Sequence, residues 1–126
     1  MFLYLQLLVL VVLVYLDQYL GVSKEYITTV MWWDIPLHIL GGLWLGFLFL
    51  YCAGLFRIKV HILHCILFAC AIGAVWEVFE YVNHIGGSVF MSYRVDTVKD
   101  LADDMIGGAL AGLCAQGIYW MQSWRK

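Results

Sequence analysis

Three short patches in this chain carry side chains able to do chemistry: Asp34 with His38, Glu77 with Glu80, and Asp100 with Asp103 and Asp104. They hold six of the nine acidic residues, and each lies inside or at the edge of a long apolar segment. Carboxylates in such segments are expensive to desolvate and call for partners. Asp34 and His38 are four apart, as are Asp100 and Asp104, while Glu77 and Glu80 are three apart. On helices each pair shares a face. Carboxylates facing one another in a low dielectric must take protons, pair with cations or hold a metal. Oxygen donors suit Mg, Ca or Mn, and an added imidazole admits Mn, Fe or Zn. The expected divalent-cation set is Asp34, His38, Glu77, Glu80, Asp100 and Asp104, with Glu77 and Asp100 as catalytic carboxylates and a spare one as general base.

Plainer roles compete for several of these residues. Asp96 or Thr97 can cap a helix. Asp103 is one position off the Asp100–Asp104 line and suits the rim or a pair with Lys99. His61 and His64 sit beside Arg57 and Lys59 and suit an interface or a hydrogen bond, and His84 is a candidate rim ligand. Cys52, Cys65, Cys70 and Cys114 show no metal-finger or redox spacing and behave as small apolar side chains. The sequence has no HExxH, no Ser or Cys nucleophile motif and no Gly-rich phosphate loop. The paired Glu-x-x-His of di-iron bundles is also absent.

The elements that must position these groups follow from composition. The chain has 126 residues, 64% hydrophobic and 13% charged, with a net charge of −2 and a mean hydropathy of +0.88. A water-soluble fold of this size needs more polar surface. The apolar runs instead match bilayer-spanning helices. Four are expected, at about 2–20, 33–55, 60–83 and 97–121. They form one four-span transmembrane domain over 1–126, an all-α integral membrane four-helix bundle. Alternating directions bring the three acidic patches to one side of the membrane. The first helix lacks the basic start and small-residue cleavage site of a signal peptide and reads as a retained span.

Trp32 and Trp33 suit an interface, Pro36 the first turn of the second helix, and Gly86-Gly87 a break after the third. Gly42–Gly46 and Gly108–Gly112 have the small-xxx-small spacing of close helix contacts, on the same faces as the acids. Arg57, Lys59, Arg125 and Lys126 share a side with the N-terminus, against Lys24, Arg94 and Lys99, which predicts both termini in the cytoplasm of a prokaryotic cell. No basic stripe for nucleic acid exists.

Three segments together resemble the YjdF-like family of small polytopic membrane proteins of unknown function, and more distantly VanZ-like proteins. They are Trp33-Asp34-Ile35-Pro36-Leu37-His38 with Gly41-Gly42, Trp76-Glu77-Val78-Phe79-Glu80-Tyr81, and Asp96-Thr97-Val98-Lys99-Asp100-Leu101 with Asp104 and Gly107-Gly108. The resemblance spans about residues 32–115. It implies a polytopic membrane protein in which these acids matter, and it supplies no activity.

The functional expectation is a metal-dependent hydrolase or transferase acting on a lipid headgroup or lipid-linked substrate, with membrane lipid and a homo-oligomer as partners. The alternatives are a cation or proton transporter or channel component, and a structural or assembly protein. Glu80→Gln should lower metal occupancy if the acids share an ion.

Overall fold

A computed structural model describes residues 1–84 and 90–123, without the side chains of 27, 28 and 119–123. The chain runs α1 (Phe2–Val14), a π-helical continuation over Tyr15–Val22, a short α2 (Tyr26–Thr29), then α3 (Asp34–Leu55), α4 (Ile62–Asn83) and α5 (Tyr93–Ser123). The described residues form an all-α membrane bundle. Among the described residues, three helices are long and apolar enough to cross a bilayer: α1 with its continuation, α3 and α4. At about 1.5 Å per residue, the 22 residues of α3 and of α4 reach about 33 Å, enough for a hydrocarbon core of about 30 Å.

α5 is the longest helix, with 31 residues. Its charged first half makes it less apolar than those three, yet it lies at the centre, packed against both α3 and α4. Asp96, Asp100, Asp103 and Asp104 are all buried, followed on the same stripe by Gly107, Gly108, Ala111 and Ala115. The side of α5 that faces protein is therefore its polar side, and Val98 at 68% exposure and Leu113 at 54% face outward. An apolar exterior of this kind belongs in lipid.

Boundaries differ from the sequence expectation mainly at α5. It begins at Tyr93, with the Ser92 carbonyl accepting from the backbone N–H of Val95 and of Asp96. Neither Asp96 nor Thr97 is therefore its cap. His61 caps α4: its Nδ1 accepts from Leu63 N–H, and its own backbone N–H donates to His64 Nδ1. His84 ends α4 in a left-handed conformation, φ 55°, and is exposed there. Trp32 is exposed as expected of an interface residue, whereas Trp33 is only 7% exposed, packed edge-on against Tyr26. Gly86, Gly87, Trp124, Arg125 and Lys126 lie outside the described residues.

α3 and α5 run parallel and α4 runs antiparallel against both, so the start of α3, the end of α4 and the start of α5 meet at one end. The positive ends of the α3 and α5 dipoles also point there, which favours carboxylates. α1 packs on α3 and buries only Gln6. Away from the acidic end the core is apolar, built on Phe47, Leu50, Cys65, Ala111 and Ala115.

Candidate functional site

Asp34 opens α3 and His38 follows one turn later, so both project toward α5. Asp100 and Asp104 on α5 face them. His38 is the hub. Its Nδ1 lies 3.4 Å from Asp104 Oδ1, and its Nε2 lies 3.5 Å from Asp34 Oδ1 and 3.8 Å from Asp100 Oδ1. Asp34, His38 and Asp100 offer ligand atoms all within 4.8 Å of one another. The site has a mouth and a floor: the Asp34 side chain is 42% exposed, against 11% for His38, 4% for Asp100 and 7% for Asp104.

One glycine seats Asp104. A Cβ on Gly73 of α4 would run into Asp104 Oδ2. The bare backbone there lets the carboxylate lie across α4 while its other oxygen reaches His38 on α3. Asp104 therefore ties all three helices together at the floor of the site.

Lys99 supplies a cation to the site and with it the Asp103 pairing that the sequence offered as an alternative to the rim. Its Nζ donates to Asp34 Oδ2 at 3.1 Å and to Asp100 Oδ1, and lies 3.6 Å from Asp103 Oδ2. Asp103 is buried, so it pairs with Lys99 rather than meeting solvent. Four aspartates thus surround one lysine and one histidine, an excess of negative charge even with His38 protonated.

The Glu77–Glu80 pair separates. Glu77 is 5% exposed; its Oε2 accepts from Thr97 Oγ1 at 2.7 Å and its carbonyl from Tyr93 Oη at 2.9 Å. Its Oε1 is buried with no hydrogen-bond partner among the described residues. Glu80 turns away to the half-exposed edge of α4, where Trp76 Nε1–H donates to it at 2.8 Å. The close ligand group contains neither glutamate. Glu77 remains at the same end, one turn along α4 from Gly73 and joined to α5 through Thr97.

Beneath the site the described residues of α3, α4 and α5 pack backbone against backbone. A Cβ on Gly42 would strike the Asp104 backbone, one on Gly107 the Ile39 carbonyl, and one on Gly108 would lie 2.7 Å from the Cys65 carbonyl. Backbone packed this closely seals the polar end from the apolar half.

The chain matches the family described as "Predicted membrane protein (DUF2238)" over residues 2–121. No curated protein and no solved structure matches it.

Proposed function

The chain belongs to that family of predicted membrane proteins, and from this premise and the geometry above we propose that it holds a divalent cation at Asp34, His38 and Asp100. One observation carries the reading. His38 turns Nδ1 to the buried Asp104 carboxylate and Nε2 to Asp34 and Asp100. Metal-binding histidines are typically arranged in this way, one ring nitrogen donating to a carboxylate that fixes the tautomer and the other facing the ion. An ion with bonds of about 2.1 Å sets adjacent donors about 3.0–3.4 Å apart, so the three donors, now within 4.8 Å of one another, would draw together around it. Two carboxylates and an imidazole suit Mn, Fe or Zn, with Mg or Ca as oxygen-dominated alternatives.

The site opens at one end of the bundle, at headgroup depth, which favours an anionic lipid headgroup or lipid-linked molecule as substrate. The fitting activity is a metal-dependent hydrolase or transferase. Glu77, buried and with one oxygen unpartnered among the described residues, would serve as general base. The sealed packing below the site disfavours a transport path. Kinship with the YjdF-like group is part of the same reading, resting on the three motifs. So is a cytoplasmic placement of both termini in a prokaryotic inner membrane: Lys99 is taken up inside the cluster, leaving Lys24 and Arg94 against Arg57, Lys59, Arg125 and Lys126.

The test is a titration of the detergent-purified chain with Mn²⁺, followed by incubation with anionic phospholipid vesicles and mass spectrometry of products. Wild type should bind, and Asp100→Asn should lose about tenfold or more in affinity. Equal affinity of the two would remove the cation site. Bound metal without any lipid product would leave the cation site and remove the enzyme.

A further inference from the structure

We infer that Lys99 is a built-in competitor for the proposed cation, released toward the mouth of the site when the ion binds. The inference rests on the cation reading and adds a regulation to it. The Lys99 ammonium is hydrogen-bonded to Asp34 and to Asp100, two of the three proposed ligands. On Asp100 it takes Oδ1, the oxygen that also faces His38 Nε2. An ion between His38 and Asp100 must take that oxygen from it, and two positive charges a few ångströms apart repel strongly in a poorly screened site. Lysine and ion therefore exclude one another.

The displaced ammonium has somewhere to go. Asp103 lies one helical turn further along α5, and its Oδ2 is already 3.6 Å from Nζ. The Lys99 side chain is 22% exposed, beside the 42% exposed Asp34 at the mouth. A long, flexible side chain anchored there offsets part of the site's negative charge without the ion. With the ion bound, it offers a positive charge at the entrance to an anionic group of the substrate. Glu77 gives independent reason to expect a ligand at this end of the bundle, since its Oε1 is buried without a hydrogen-bond partner among the described residues.

The experiment compares Mn²⁺ binding to the full-length wild type, Lys99→Gln and Lys99→Arg in the same detergent. Removing the competing charge should tighten Mn²⁺ binding about tenfold or more, while Lys99→Arg, which keeps the charge, should stay near wild type. Equal affinity for wild type and Lys99→Gln would overturn the competition and leave the cation site standing. No binding to any of the three would remove the cation reading itself. A second measurement uses only wild type, in case Lys99→Gln fails to fold: an amine-acylating reagent should modify Lys99 several-fold faster with Mn²⁺ than with chelator. Unchanged or slower modification in a protein that binds Mn²⁺ would again overturn the competition.

Discussion

Gly42 lies one turn below His38, where α3 meets α5, and replacing it with alanine puts the packing argument at risk. The added Cβ would lie 2.8 Å from the Asp104 carbonyl carbon and 2.9 Å from its Cα, with the carbonyl oxygen closer still. Ordinary carbon contacts need about 3.5 Å or more, and no flexible side chain is present to yield, so the two backbones must part. Forcing a methyl into a packed contact costs about 1–3 kcal/mol. Gly54, on the same helix, is the control, because a Cβ there meets nothing within 4 Å. Alanine at that position should be neutral or gain up to about 1 kcal/mol from helix propensity. The two variants should therefore differ by about 1–4 kcal/mol, read as the shift in an SDS unfolding titration followed by circular dichroism in mixed micelles. Equal stability of Gly42→Ala and Gly54→Ala would refute the close approach of α3 and α5, and with it the sealed floor of the site.

Two further outcomes are expected. Thr97→Val removes the donor to Glu77 Oε2 and leaves a buried carboxylate short of a partner, which should destabilise the chain by about 1–3 kcal/mol; a double variant with Glu77→Gln should recover part of that, and no recovery would argue against the pair. A membrane-impermeant thiol reagent on intact cells should label Ser23→Cys and spare Lys59→Cys, each in a background without the four native cysteines; the reverse pattern would invert the orientation.

The helical faces were readable from spacing alone. Asp100 and Asp104, four apart, both turn inward, and alternation of direction brought Asp34 to them. What spacing does not contain is interhelical register. The contact of His38 with Asp104 depends on how deeply α3 and α5 slide together, which the glycines beneath decide. Glu77 and Glu80 show a second limit. Three residues on a helix is 60° short of a full turn, enough to put one glutamate in the core and the other at the lipid edge beside Trp76. From spacing, Lys99 is an alternative partner for Asp103; it precedes Asp100 and so starts about 100° around the helix. Its four-carbon stem makes up the difference and carries the ammonium back among the aspartates. Asp96 and Thr97 were cap candidates because α5 was expected to start there, when it starts about a turn earlier.

The buried polar stripe of α5 also bears on how this chain is built. An aspartate or lysine at the centre of an isolated helix opposes entry from the translocon into lipid by about 2.5–3.5 kcal/mol, less toward the ends. α5 has Asp96, Lys99, Asp100, Asp103 and Asp104 in its first half, too many for it to partition readily alone. α3 and α4 are apolar and are synthesised first. They bring the groups that receive the stripe: His38 and Asp34 as polar partners, Gly73 as the notch for Asp104, Gly42 as the bed for its backbone. α5 emerges from the ribosome after α3 and α4 and is the helix that needs those neighbours already in place, so the order of the three along the chain is also a workable order of biogenesis.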